Sequence, residues 1–209
     1  MINTSISRAL IACIFMLTVS AAHADALRLM VFGDSLVAGY GLDRVKAFPR
    51  QLQSRLTAKG FDVEVINAGV SGDTTSSGKS RLDWTLANTP DAIMIVLGGN
   101  DMLRGVDPSV TRRNLDEILS ALTDRNIPVM LCGMLASPNL GADYQAEFDS
   151  IYPELAAKYD VAFYPFFLEG VALEPKFNQP DGIHPNAIGV RKIVLGMLDD
   201  VGKFLTEIR

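Results

Sequence analysis

Histidine is nearly absent from this chain. Of 209 residues only His23 and His184 are histidine. Cysteine is as scarce, with Cys13 and Cys132, and Trp84 is the single tryptophan. Positive charge is short too: 19 Lys+Arg stand against 24 Asp+Glu, a formal net charge of −5. Each shortage excludes something. An acidic surface argues against nucleic acid or an anionic membrane as the main partner. Cys132 stands in no metal-ligand spacing. Beyond the first 24 residues no apolar run approaches the roughly 20 residues that a membrane span needs. Repeats, low-complexity tracts and Gly/Ser-rich linkers are missing as well.

The N-terminus reads as a removable leader. Arg8 precedes an apolar run over residues 9–19, and small residues follow, ending Ala22-His23-Ala24. This is the pattern of a secretory signal peptide with cleavage after Ala24. The run is too short for a transmembrane anchor. Residues 25–209 are then expected to form one domain with a full core. Losing Arg8 takes Lys+Arg from 19 to 18 against 24 Asp+Glu, so the remaining chain carries −6. Cys13 leaves with the leader, so no intrachain disulfide can form even in an oxidising compartment. Cys132 lies in an apolar run and reads as a buried, inert thiol. His184 becomes the one imidazole in the mature chain.

Strand-like runs alternate with helix-like ones. Strands are expected at 27–32, 61–66, 92–97, 127–132 and 161–164. The third is apolar throughout, as a central parallel strand covered on both faces must be. Residues 110–125 carry Leu115, Ile118, Leu119 and Leu122 at helical spacing behind Pro108. Residues 186–208 form a closing helix with Ile193, Val194, Met197, Leu198, Val201, Phe204 and Leu205 on one side. Such alternation implies βαβ units and right-handed crossovers. The expected fold is a three-layer α/β/α sandwich around a parallel sheet, whose chemistry sits beyond the carboxyl ends of the strands.

Those strand ends carry unusual residues. Gly33-Asp34-Ser35-Leu36 follows the first strand. Asn67-Ala68-Gly69-Val70-Ser71-Gly72-Asp73-Thr74 follows the second, and Gly98-Gly99-Asn100-Asp101 the third. Asp181-Gly182-Ile183-His184-Pro185 precedes the last helix. Acyl transfer needs a base to activate a serine hydroxyl, because the neutral hydroxyl is a weak nucleophile. The base needs a carboxylate to hold its tautomer, and the developing oxyanion needs donors. Ser35 at a strand-to-helix turn can be the nucleophile, His184 the base and Asp181 its partner. The backbone N–H groups of Ser35 and Gly72 and the Asn100 amide can form an oxyanion hole. Pro185 is expected to start the last helix, leaving His184 near a positive dipole end that disfavours its protonation, while Asp181 favours it.

With these blocks in order, the chain resembles the SGNH hydrolase superfamily, the GDSL esterases and lipases. The letters of that name fall on Ser35, Gly72, Asn100 and His184. Ser71-Gly72-Asp73-Thr74, Leu103-Arg104-Gly105, Ile151-Tyr152-Pro153 and Pro165-Phe166-Phe167 look most like the periplasmic branch of multifunctional acyl-CoA thioesterases, lysophospholipases and arylesterases. The resemblance implies a five-stranded parallel sheet in flavodoxin-like order. It also implies a small-molecule ester, thioester or lysophospholipid substrate and no metal or organic cofactor. Like the family, the chain lacks a Gly-x-Ser-x-Gly elbow, since Val37 stands two residues after Ser35.

Plainer readings stand beside these. Ser35 alone reads as a helix N-cap, and Asp181 as a turn former beside Gly182. Asp34 and Asp101 are assigned structural roles. Gly72 to Ser80 mimics a phosphate loop, but five residues rather than four precede Gly78-Lys79-Ser80, and Asp73 would repel a phosphate. Trp84, Phe163, Phe166 and Phe167 are expected in the core, with Phe166 and Phe167 also candidates to line an acyl groove. A carbohydrate O-acetyl esterase on the same fold is the second enzyme reading, and a non-catalytic binding module the third.

Overall fold

A computed structural model describes residues 26–208 of the chain. The expected leader lies outside the described residues. Five strands, β1 (Leu27–Gly33), β2 (Val63–Gly69), β3 (Ala92–Val96), β4 (Val129–Cys132) and β5 (Ala162–Tyr164), form one parallel sheet. Their order is β2-β1-β3-β4-β5, which is the flavodoxin-like order. The apolar run of β3 is buried at every position, as a strand covered on both faces should be. Edge strand β2 alternates instead, with Val63 and Val65 buried and Glu64 exposed.

The second strand departs most from the sequence reading, which placed it at 61–66. It begins two residues later because the Phe61 N–H still closes the preceding helix, donating to the Leu56 carbonyl. It runs on to Gly69 because Asn67, Ala68 and Gly69 pair with Val31, Phe32 and Gly33 of β1. That extension depends on a partner strand, so local sequence does not display it.

Helices cover both faces. On one side α2 (Phe48–Ala58) packs on β2 and on α8 (Ala187–Glu207), and α8 reaches β5. On the other, α5 (Pro108–Thr123) packs against α3 (Thr75–Leu86) and α7 (Ile151–Tyr159). Helix α5 starts at Pro108 behind Asp107, whose carboxylate accepts from the Ser109 N–H at 2.8 Å. Its Leu115, Ile118, Leu119 and Leu122 are fully buried. Helix α8 buries the expected face from Ile193 to Leu205. Its N-cap is Asn186, whose side chain accepts from the N–H groups of Ile188 and Gly189. Pro185 therefore lies outside the helix, paired with Asn178 in an isolated antiparallel bridge.

Two aromatic expectations need correction. Trp84 is 77% exposed. Helix α3 buries Thr75, Gly78, Leu82 and Thr85, and Trp84 falls out of phase with that stripe. Phe167 is 1% exposed and meets the Phe48 ring edge-to-face at 5.0 Å. It is core and cannot line a groove. Phe163 and Phe166 are half-buried. Cys132 is fully buried at the end of β4, and burial pushes its thiol pKa up, consistent with an inert side chain.

Candidate active site

Strand β1 ends at Gly33, and the chain turns at Asp34 into the single turn of α1 (Ser35–Ala38). The Asp34 carboxylate caps that turn, accepting from the Leu36 N–H at 2.9 Å. Ser35 is thereby held at the first helical position with its side chain toward the rim. The segment before α8 meets it there. His184 Nε2 lies 3.0 Å from Ser35 Oγ, and His184 Nδ1 lies 2.7 Å from Asp181 Oδ2. The other Asp181 oxygen accepts from the backbone N–H groups of Ile183 and His184, at 3.1 and 3.0 Å. These bonds curl residues 181–184 into a turn. The His184 N–H first, and the imidazole second, hold the Asp181 carboxyl below its usual range. A carboxylate that stays ionised can orient an imidazole and balance its charge.

Gly72 sits in the tight turn after β2 with φ of 87°. Space is not the constraint, since a Cβ there would meet only Arg104 Nη2 at 3.7 Å. The left-handed backbone itself favours glycine. Arg104 donates to the Gly72 carbonyl at 2.9 Å. Asn100 lies in α4 (Gly99–Leu103). Its amide nitrogen donates to the Asp73 carbonyl at 2.9 Å and to Asp34 Oδ2 at 3.2 Å. All four loops read as site segments thus reach one rim, and Asn100 ties two of them together.

Two supporting networks escaped the sequence reading. Arg81 of α3 pairs through Nε with Asp73 at 2.6 Å, and its Nη2 donates to the carbonyls of Gly33 and Ala68, both at 3.0 Å. Its guanidinium lies over the Phe32 ring at 4.1 Å. Asp101 is buried and accepts from the Thr75 N–H at 2.8 Å and the Thr75 hydroxyl at 2.6 Å. Thr111 and Asn114 complete that cluster. Asp34 and Asp101 are structural, as the sequence suggested. Burial pushes the Asp34 carboxyl up to about 6, against the pull of its hydrogen bonds. Tyr40 was also overlooked. Its ring lies against the His184 imidazole with centroids 4.6 Å apart. Open grooves of about 400 Å³ on α8 and about 570 Å³ at the far end of β4 and β5 contain none of these residues. Among the described residues no group of acidic, histidine and cysteine side chains could hold a metal.

A flavodoxin-like sheet whose carboxyl rim carries a Ser–His–Asp row, without a Gly-x-Ser-x-Gly elbow, has the form of an SGNH hydrolase. The family comparison agrees: residues 31–192 match the GDSL-like lipase/acylhydrolase family, and the chain belongs to it. An arylesterase of Vibrio mimicus is 41% identical over 177 residues, 84% of this chain and 88% of that protein. Thioesterase 1/protease 1/lysophospholipase L1 of Escherichia coli K12 is 41% identical over 172 residues, 82% of this chain and 80% of that protein. The crystal structure of AlinE4, an SGNH-hydrolase family esterase, is similar with a TM-score of 0.74 at 48% identity, covering 86% of this chain and 97% of that one. The chain is an ester-bond hydrolase.

Proposed function

We propose that the chain is a secreted or periplasmic serine esterase, hydrolysing acyl esters and thioesters through an acyl-enzyme on Ser35. The observation that carries this reading is the unbroken row Ser35 Oγ–His184 Nε2–Nδ1–Asp181, at 3.0 and 2.7 Å. His184 removes the hydroxyl proton as Ser35 attacks the carbonyl carbon. The imidazolium formed is balanced by Asp181 and returns the proton to the departing alcohol or thiol. A water activated by His184 then releases the acid and regenerates Ser35. The backbone N–H groups of Ser35 and Gly72 and the Asn100 amide receive the oxyanion. Asn100 does so by exchanging its longer bond, the one to Asp34, for the substrate oxygen.

Exposed apolar side chains stand in the segments that follow the carboxyl ends of the strands or carry the row: Val70, Leu103, Leu135 and Ile183. Val70 precedes Gly72 by two residues, Leu103 follows Asn100 by three, and Ile183 adjoins His184. These side chains favour an acyl chain longer than acetyl, and so favour aryl ester, lysophospholipid or acyl thioester over a carbohydrate O-acetyl group. The relatives named for arylesterase, thioesterase and lysophospholipase activity support the same range. The leader pattern supports export. Among the described residues no helix is long and apolar enough to cross a membrane.

The test is turnover of a p-nitrophenyl acyl ester by Ser35→Ala and His184→Ala, each expected to lose nearly all activity. Full activity in His184→Ala would falsify the mechanism, since no other histidine follows the leader. Labelling by a fluorophosphonate probe is expected in the native chain and absent in Ser35→Ala. A native chain that fails to label would point to a binding module instead.

A further inference from the structure

Beside the triad, one aromatic side chain touches the base and has no role in the mechanism above. Tyr40 lies in the turn that follows α1, between two left-handed glycines, Gly39 and Gly41, with φ of 82° and 71°. The turn is held from both directions. The Ser35 carbonyl accepts from the N–H groups of Gly39 and Tyr40 at 3.1 and 3.2 Å. The Tyr40 carbonyl accepts from Gln179 Nε2 at 2.8 Å.

Gln179 is the link to the base. Its backbone N–H donates to the His184 carbonyl at 2.7 Å, and the same Nε2 that reaches Tyr40 donates to the Pro185 carbonyl at 3.1 Å. One side chain therefore ties the Tyr40 turn to the His184 segment. Gly41 leaves room for it: a Cβ at that position would lie 2.2 Å from Gln179 Oε1. The spacing of the Tyr40 and His184 rings follows from this clamp. Their planes are inclined by 36°. Among the described residues no hydrogen bond of the Tyr40 hydroxyl accompanies the contact, and the residue is 53% exposed.

We infer that Tyr40 is a positioning residue for His184, whose ring face steadies the imidazole and favours the imidazolium formed during proton transfer. An aromatic face within about 6 Å of a cation attracts it through the ring quadrupole, and 4.6 Å falls inside that reach. Asp181 supplies charge at Nδ1; Tyr40 supplies a face and blocks rotation of the ring away from Ser35. Asp34, from the turn before α1, also faces His184. This inference rests on His184 being the base.

The experiment compares Tyr40→Phe, Tyr40→Trp and Tyr40→Leu with the native chain on a p-nitrophenyl butyryl ester across pH. Phe and Trp keep an aromatic face and are expected to keep kcat within about twofold. Leu is expected to lower kcat by about threefold to tenfold, the range of a cation–π contact, with KM nearly unchanged. The acidic limb of its kcat/KM profile moves to lower pH, because the imidazolium has lost a stabilising neighbour. A Tyr40→Leu enzyme with native kcat, or with only KM raised, overturns the inference and makes Tyr40 a substrate wall. Equal losses in Phe and Leu overturn it too, by assigning the effect to the hydroxyl. Gln179→Leu keeps the Tyr40 side chain but opens the clamp that positions it, and is expected to lower kcat while thermal unfolding shows a folded chain. Unchanged kcat in that variant counts against the clamp. Ser35→Ala is run alongside. An active Ser35→Ala breaks the triad reading itself, whereas an inactive one beside a native-like Tyr40→Leu removes only the role of Tyr40.

Discussion

Asn100 has two amide hydrogens and three claims on them. The Asp73 carbonyl and the Asp34 carboxylate hold them in the resting chain, and the proposed reaction adds the substrate oxygen. Asn100→Ala is expected to lower kcat by about 10²–10³ with little change in KM, the usual cost of one oxyanion donor. An unchanged kcat would remove the amide from that role. Asp34 makes a second prediction, in pH rather than rate. Its carboxyl is pushed from the ordinary 3.8 to about 6 by burial. Between those values the folded chain holds a proton that the unfolded chain has released. Stability therefore falls as pH rises through this window, by on the order of 3 kcal/mol, and the loss is complete above about 6. Denaturant titrations at pH 4 and pH 7 should show this slope in the native chain and its loss in Asp34→Asn. Asp181 behaves oppositely. Its lowered carboxyl stays ionised on mild acidification, so its link to His184 breaks only at lower pH.

Helices α3 and α4 hold the site together through side chains that touch no substrate. Asp101 accepts from the Thr75 N–H and two buried hydroxyls, fixing the start of α3 against the residue next to Asn100. Asp101→Ala strands those donors, and an unsatisfied buried group costs about 1–3 kcal/mol. A loss of that order or somewhat more is expected in urea unfolding. Arg81 joins the ends of β1 and β2 to Asp73. Arg81→Met leaves Asp73 buried without its partner and is expected to cost about 3–5 kcal/mol. The same change made in an Asp73→Asn background should cost less; an equal cost would mean that the pair does not couple. Neither network is legible locally. The buried stripe of α3 is Thr75, Gly78, Leu82 and Thr85, too polar and small to announce a helix by apolar periodicity. Helix α5, with Leu115, Ile118, Leu119 and Leu122, announces itself at once.

At the scale of the molecule, substrate choice depends on which apolar side chains remain on the rim. Beyond the site blocks the sequence carries the apolar residues Met102, Leu103, Met134, Leu135, Phe166 and Phe167. Packing withdraws Met134 and Phe167 into the core and leaves Leu103 and Leu135 exposed, as it does Val70 and Ile183. Rates over acetyl, butyryl, octanoyl and palmitoyl esters are expected to peak beyond acetyl, and a lysophospholipid should be cleaved. Leu103→Asp or Ile183→Asp should slow the octanoyl ester more than the acetyl one. A profile peaking at acetyl would favour the O-acetyl esterase reading.

The sequence by itself determined the sheet class, because strand and helix patterns need only a few neighbouring residues to be expressed. It determined the family, because four blocks occur in order. It also left His184 as the one imidazole available to the proposed triad, because the only other histidine, His23, lies in the expected leader. Distances were decided elsewhere. Ser35 and His184 are 149 positions apart, and no local pattern carries their separation of 3.0 Å. That spacing depends on the parallel pairing of β1 with β2 and β3, on the Gln179 clamp and on the cap before α8. The same long-range packing turned Trp84 outward, drew Phe167 inward and laid Tyr40 on the imidazole. Such contacts join residues far apart in the chain, so only the tertiary structure could decide them.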